Sequence, residues 1–359
     1  MAPIGRKGKR LDIRKRISHL QKRPYCLRPG GGGGGKPHNV PLWGLGNELY
    51  GDWQIGHKSA REYAPFAREV AKVVKSTSPG VELVANGGAH GDLKWNQIVL
   101  DKLADHVEYL SMHEYVGNRN DNFAEYMAVP LTTDRYLTTV SGTLKASNAI
   151  RYPKKPVYLA FDEWNVWYRT GVKEALEETY NLEDALVVAM YFHNFFRYAD
   201  ILKIANLAQM VNVIAPILTK PDGLILQTIF YPFELYSRCA GRFALDLHVE
   251  CPGYKTDLYE KVPYVDAAGT FDPDTHQLAL FFVNRHPKDA IEVELEMGGV
   301  QPVPPFTRFE IAGEDVKTAN TFEHPNQVTC RKTSLDGPCP PAITLPAHTI
   351  VVLTTALKV

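Results

Sequence analysis

Two glutamates stand where acid–base chemistry at a sugar linkage would need them. Glu48 closes the run Trp43-Gly-Leu-Gly-Asn-Glu48, and Glu163 lies within Phe161-Asp-Glu-Trp-Asn-Val-Trp-Tyr168. Hydrolysis of a glycosidic bond takes two carboxyl groups on opposite sides of it. One protonates the leaving oxygen; the other attacks the anomeric carbon or activates water. A lone glutamate at a strand end is usually solvated or salt-bridged, but two of them, each beside an Asn or Asp, point to a polyol-cleaving site. A nucleophile must stay ionised near neutral pH, so neighbouring donors should hold its pKa low. An acid must stay protonated, and the like charge of an ionised partner raises its pKa until a covalent intermediate removes that charge. Whichever of the two is the acid is therefore expected to be the raised one. This chemistry calls for no metal and no organic cofactor.

The elements that must position these residues alternate. Apolar runs at Val40–Leu45, Val81–Ala85, Glu108–Met112, Val157–Phe161 and Ile201–Leu207 read as strands. Ser59-Ala-Arg-Glu62 fits a capping box, and Tyr63, Phe66, Ala67, Val70, Val73 and Val74 share one helical face behind it. Further helices are expected over Ile98–Ala104, Arg135–Ala149, Leu182–Tyr198 and Gln227–Arg238. Five strand–helix alternations have the rhythm of a parallel α/β barrel or a doubly wound sheet. Each strand ends in polar residues: Asn47-Glu48, Asn86-Gly87-Gly88, His113-Glu114-Tyr115, Asp162-Glu163-Trp164-Asn165 and Ala208-Gln209. In a parallel barrel those C-terminal ends form one rim, where active sites sit. After about Arg238 the texture changes to short β-rich runs, Gln277–Val283, Ile291–Glu296 and Ile343–Thr354, separated by Pro and Gly. This predicts an all-β sandwich.

The charge distribution sets the first residues apart. The chain has 359 residues, 45% of them apolar, and no formal net charge. Residues 1–38 hold 11 Lys and Arg against the single acid Asp12, leaving 29 basic against 39 acidic residues in the remainder, a net of −10. A mildly acidic body does not suggest nucleic acid as the main partner. The basic segment runs into six glycines, Gly30 to Gly35, and is expected to be disordered, because it cannot bury enough surface to offset its ordering entropy. Of three readings, a truncated or frame-shifted reading frame is favoured over a linker or a nucleic-acid-binding arm, since no aromatic interleaving supports base stacking. Cys26, Cys239, Cys251, Cys330 and Cys339 show neither CxxC nor zinc spacing, as expected of reduced structural thiols in a cytoplasmic protein. No apolar stretch reaches the roughly 18 residues of a membrane span, and the basic N-terminus lacks the apolar stretch of a secretory signal.

The two glutamate motifs resemble the acid/base and nucleophile motifs of glycoside hydrolase family 51, chiefly α-L-arabinofuranosidases. Trp53-Gln-Ile-Gly-His57, Ser111-Met-His-Glu-Tyr-Val-Gly-Asn118 and Ala208-Gln-Met-Val-Asn-Val-Ile-Ala-Pro216 extend the resemblance over residues 35–359. It implies Glu48 as acid/base and Glu163 as nucleophile, with Asn47 bonding the sugar 2-hydroxyl and Tyr115 touching the nucleophile. It also implies Gln209 bonding sugar hydroxyls, His113 supporting Tyr115 or the rim, and Trp164, Trp167 and Tyr168 as an aromatic wall for sugar. The substrate would be an arabinose-containing oligo- or polysaccharide, and the enzyme a cytoplasmic one that can form homo-oligomers. Neither nucleic acid nor membrane is an expected partner.

In that family the acid/base follows barrel strand four and the nucleophile strand seven. Here they follow the first and fourth strands of the visible set. The spacing of three agrees, and the expected fold is a (β/α)8-type barrel lacking its first three strand–helix units, followed by an all-β sandwich. The expected division is 1–38 disordered, 39–238 partial catalytic barrel and 239–359 C-terminal β-sandwich. An open barrel carries a second expectation, that the chain alone has weak or no activity. The competing readings are a related endoglucanase or xylosidase, an inactive remnant, and a sugar-binding module.

Overall fold

In a computed structural model of the chain, which describes residues 39–337 and 340–358, five parallel strands carry the candidate rim. Residues 1–38 and Cys339, on which sequence expectations fell, lie outside the described residues. The strands are β1 (Leu42–Gly44), β2 (Glu82–Ala85), β3 (Tyr109–Val116), β4 (Tyr158–Val166) and β5 (Leu202–Leu207), in that spatial order. Between them run α1 (Ala60–Thr77), α2 (Leu93–Leu103), α3 (Phe123–Ile150) and α4 (Leu182–Arg197). This is a partial (β/α) barrel. One face of the sheet meets the helices; the other carries a small inner cluster of Val84, Tyr109, Ala160 and Ile204, with Leu42 and Tyr158 packed on it. Among the described residues no helix is long and apolar enough to cross a membrane.

Helix α1 begins at the expected cap: Glu62 Oε2 accepts from the Ser59 backbone N–H at 2.9 Å and from its hydroxyl at 2.7 Å. Its buried side is the small-residue side, Ala60, Tyr63, Ala64, Ala67 and Ala71. Phe66 and Val73, expected on the buried face, are 56% and 61% exposed. Phe66 lines an open groove along β1, which pairs with β2 alone among the described residues. Helix α3 starts well before the expected Arg135. It absorbs Pro130, which is buried and whose carbonyl accepts from Asn194 Nδ2 at 2.8 Å. An interior proline costs about 3 kcal/mol in an isolated helix, and here tertiary packing offsets it.

After a hairpin of β6 (Ile217–Lys220) and β7 (Gly223–Leu226), α5 (Phe230–Cys239) leads into the β-rich part. The strands that follow are β8 (Phe243–Leu245), β9 (Gly253–Tyr254), β10 (Val262–Pro263), β11 (Val265–Asp272), β12 (Gln277–Asn284), β13 (Ile291–Glu294), β14 (Gln301–Ala312), β15 (Thr329–Leu335), β16 (Ala342–Leu345) and β17 (Thr349–Lys358). Six of them form an antiparallel sheet in the order β15-β14-β17-β12-β11-β8, and β13 pairs with β16. The β-rich run Ile343–Thr354 is divided between two strands, with a break after Leu345. Pro346 cannot donate a ladder hydrogen bond, and Asn284 Nδ2 holds the turn through the carbonyls of Leu345 and Pro346. One face of the large sheet packs against the β13–β16 pair; the other joins the helix core of the barrel. Helix α4 sits between the two sheets, and Leu182 to Phe196 are all buried, as a helix covered on every side must be.

Candidate active site

Glu48 follows β1 on a loop that uses unusual backbone. Gly46 takes φ +106°, and a Cβ there would lie 2.6 Å from the Leu49 side chain. Glu48 itself takes φ +49°, a left-handed conformation that a non-glycine residue keeps only where its surroundings enforce it. Asn86, buried at the end of β2, supplies that enforcement. Its Oδ1 accepts the Leu49 N–H at 2.8 Å, and its carbonyl accepts Trp95 Nε1–H at 3.0 Å. Its own N–H donates to the Tyr63 hydroxyl at 2.7 Å, and that hydroxyl donates to the Leu45 carbonyl at 3.0 Å. The polar end of β2 thus anchors the Glu48 loop. Gly87, next along, passes so close to β3 that a Cβ would lie 1.9 Å from the Ser111 carbonyl oxygen.

The other half of the cluster comes from β3 and β4. Their pairing slips between Ser111 and His113, so that Ser111 faces Ala160 while His113 faces Glu163. The extra residue on β4 is a β-bulge, and it brings Asp162 and Glu163 to the same histidine. His113 Nδ1 lies 3.0 Å from Glu48 Oε1 and 3.6 Å from Glu163 Oε2, and Nε2 lies 3.3 Å from Asp162 Oδ1. The last contact is an ion pair without a well-aligned hydrogen bond. Tyr115 donates its hydroxyl to Glu163 Oε1 at 2.7 Å. Glu48 also accepts from Tyr50 (3.2 Å to Oε1) and from Trp53 Nε1–H (3.1 Å to Oε2). One donor atom each of Glu48, His113 and Glu163 lies within 4.8 Å of the other two.

The electrostatics differ from expectation at Glu48. Burial opposes charge on His113, but the close contact with Asp162, the hydrogen bond to Glu48 and the charges of Asp162 and Glu163 push it up to about 10. His113 is thus an imidazolium between three carboxylates. Its hydrogen bond holds Glu48 below the ordinary glutamate value, helped by Trp53 and Tyr50 against the penalty of burial. The rise by like-charge repulsion expected of the acid, the role the resemblance gives Glu48, is absent because a cation stands between the like charges. Burial and the nearby charges of Glu48 and Glu163 push the Tyr50 hydroxyl well up, so it stays a donor. Glu48, His113 and Glu163 are also donor types that bind metal ions, but an imidazolium has no lone pair to offer.

The expected site residues divide. Glu48, Glu163, His113 and Tyr115 converge. His113 spends both nitrogens on carboxylates, so it binds the acids to each other and has none left for sugar. Asn47 and Gln209 are exposed at the ends of β1 and β5. Asn165 Nδ2 holds the Gln209 loop by donating to the Ala208 carbonyl at 2.6 Å. Trp164 is a correction: it is buried, stacked on Tyr191 at 5.2 Å within the helix core, and cannot line a sugar site. The bulge turns Glu163 inward and therefore Trp164 outward. Trp167 does reach the rim, edge-on to Tyr115 at 5.4 Å, while Tyr168 packs over Gly117 and beneath Arg169. Tyr50, Trp53 and Asp162 were missed as site residues; the available signal was that all three lie within five residues of a candidate glutamate.

A parallel β/α sheet with two facing glutamates on its C-terminal rim is the architecture of the barrel glycoside hydrolases. The family model of the α-L-arabinofuranosidase C-terminal domain matches residues 162–348. The intracellular exo-α-(1→5)-L-arabinofuranosidase of Halalkalibacterium halodurans is 35% identical over 82% of this chain and 64% of its own length. The corresponding Bacillus subtilis enzyme 1 is 36% identical over 85% of this chain and 66% of its own length. The crystal structure of an α-L-arabinofuranosidase from Thermotoga maritima in complex with arabinose superposes with a TM-score of 0.81 at 32% identity, covering 89% of this chain and 67% of that one. The chain belongs to glycoside hydrolase family 51, the α-L-arabinofuranosidases. It spans about two thirds of the length of the curated relatives it matches.

Proposed function

We propose that this chain carries the catalytic centre of a retaining α-L-arabinofuranosidase that removes non-reducing terminal arabinofuranosyl residues from arabinose-containing oligo- and polysaccharides. The observation that carries this reading is the pair Glu48 and Glu163, with carboxylate oxygens within 4.8 Å. Retaining enzymes place their carboxyl groups about 5–5.5 Å apart and inverting ones about 6.5–9.5 Å. Glu163 attacks the anomeric carbon as the glycosidic C–O bond breaks, and the departing oxygen takes its electron pair and the proton from Glu48. Water then attacks the anomeric carbon of the glycosyl-enzyme, gives its proton to Glu48 and releases Glu163. Tyr115 orients the nucleophile through its 2.7 Å hydrogen bond. Asn47 and Gln209, exposed on the same rim, bond sugar hydroxyls. The relatives named intracellular support a cytoplasmic setting.

The test is purified protein with 4-nitrophenyl α-L-arabinofuranoside, beside β-xyloside and β-glucoside analogues, with the anomer formed first read by proton NMR. The reading expects preference for the arabinofuranoside and retention of configuration. A first-formed inverted product, or a preference for the glucoside, would overturn it.

A further inference from the structure

The Glu48 carboxylate is capped at both oxygens by donors. Oε1 lies 3.0 Å from His113 Nδ1 and accepts the Tyr50 hydroxyl at 3.2 Å; Oε2 accepts Trp53 Nε1–H at 3.1 Å. An indole N–H can only donate, and so can the N–H of an imidazolium. A proton on Oε2 would share that oxygen with the indole hydrogen, and one on Oε1 would share it with the hydrogens of His113 and Tyr50. Oε2 keeps a second lone pair, so Glu48 can still be protonated here, but each donor bonds the charged form and favours it over the acid. Withdrawal of one donor would tip the balance towards the acid. His113 is buried and fixed by Asp162 as well, whereas Trp53 is 65% exposed and sits on the same short loop as Glu48. The indole rests flat on Gly51, where a Cβ would lie 2.3 Å from the ring, and meets the Tyr50 ring edge-on at 6.0 Å. Its seat is therefore built, while most of the side chain stays exposed among the described residues.

We propose that Trp53 is a positioning residue that favours the base form of Glu48, and that displacing its indole from Oε2 favours the acid form. This rests on the acid/base reading of Glu48. Indole in place suits the second half-reaction, in which Glu48 takes a proton from water. Indole displaced, by the aglycone entering beside it, suits the first. The groups facing Glu48 are His113 and Tyr115 from β3, Asp162 and Glu163 from β4, and Tyr50 from its own loop. Replacing Trp53 leaves all of these in place.

The experiment follows the Glu48 side-chain carboxyl by carbon-13 NMR through a pH titration, assigned by its disappearance in Glu48→Gln. Trp53→Phe removes the donor but keeps a ring on Gly51; Gly51→Ala keeps the donor but pushes the ring off its seat. Both are expected to move the Glu48 midpoint upward, and the basic limb of the kcat/KM profile should move up with it. Tyr50→Phe, whose oxygen partner still has His113, should shift it less. An unchanged midpoint in Trp53→Phe would overturn the proposal. The titration needs no substrate, so a raised midpoint in a protein that hydrolyses no arabinofuranoside would defeat the hydrolase reading and leave the hold of Trp53 on Glu48 standing.

Discussion

His113 on the rim and His193 at the junction of the two sheets are both buried beside carboxylates, yet they carry opposite charge states. His113 is pushed up to about 10. His193, in the middle of α4, is pushed below its ordinary value, mainly by complete burial. Its Nδ1 lies 2.9 Å from Asp266 Oδ1, and Asp266 also pairs with Arg197 and lies 3.8 Å from Arg285. The guanidiniums already balance that carboxylate, so a third cation has nothing to gain and the desolvation cost decides. A neutral His193 donates Nδ1–H to Asp266, and its Nε2 accepts the Tyr236 hydroxyl at 2.7 Å. At the rim three carboxylates share one imidazole, so the desolvation cost loses. Burial sets the stakes, and the local balance of charge sets the sign. The junction spends its charges on holding two sheets together, and the rim keeps an excess of negative charge for chemistry.

Substitutions can break this contrast. The largest effect on function is expected at Glu163→Ala, which should abolish turnover of nitrophenyl arabinofuranoside while far-ultraviolet circular dichroism stays unchanged. Glu48→Ala should harm natural linkages far more than the nitrophenyl substrate, whose leaving group departs with little protonation, and azide should restore part of the rate. Equal losses on both substrates would contradict the acid/base role.

At the junction the expected effect is on stability. Asp266→Ala leaves two guanidiniums without their carboxylate, and breaking a buried pair in this way costs about 3–5 kcal/mol. Urea unfolding measures it, and a loss under about 1 kcal/mol would show that the junction charges are solvated.

The two histidines should give opposite slopes of stability against pH. A raised folded pKa, as at His113, contributes stability that is full below about pH 6.5 and is lost as pH rises towards about 10. A lowered one, as at His193, contributes nothing adverse at high pH and costs stability as pH falls through the unfolded value, because the unfolded chain then binds a proton that the folded one refuses. His113→Gln should therefore flatten the alkaline fall in urea midpoint, and His193→Gln the acid one. Parallel profiles for the two variants would refute the charge assignment.

The smallest effect is expected at Glu114, next to His113 but turned towards the helices. Burial pushes its carboxyl up to about 7, although the Tyr191 hydroxyl donates to Oε2 at 3.0 Å. The folded protein then binds a proton that the unfolded chain has lost, so stability declines from about pH 4.5 to about 7 and levels off. Glu114→Gln should remove that decline in the same titration, and a decline that persists would place its origin elsewhere.

The sequence by itself determined the order of the elements, the cap of α1, the strand ends that carry polar groups, and the two glutamates among them. These are local properties: apolar period, capping chemistry, and a few residues before or after an element. The length of α3 was hidden by Pro130, whose local cost only tertiary packing outweighs. Only the tertiary structure decided which way Trp164 faces, because the bulge at Asp162 is a matter of register against β3 and β4 alone does not reveal it. Only the tertiary structure decided that Glu48 is held low, because the cation responsible, His113, arrives from a strand distant in the chain. The same residue types beside the same carboxylates could have produced either charge state. What chose between them was the count of opposite charges that folding brought within hydrogen-bonding distance.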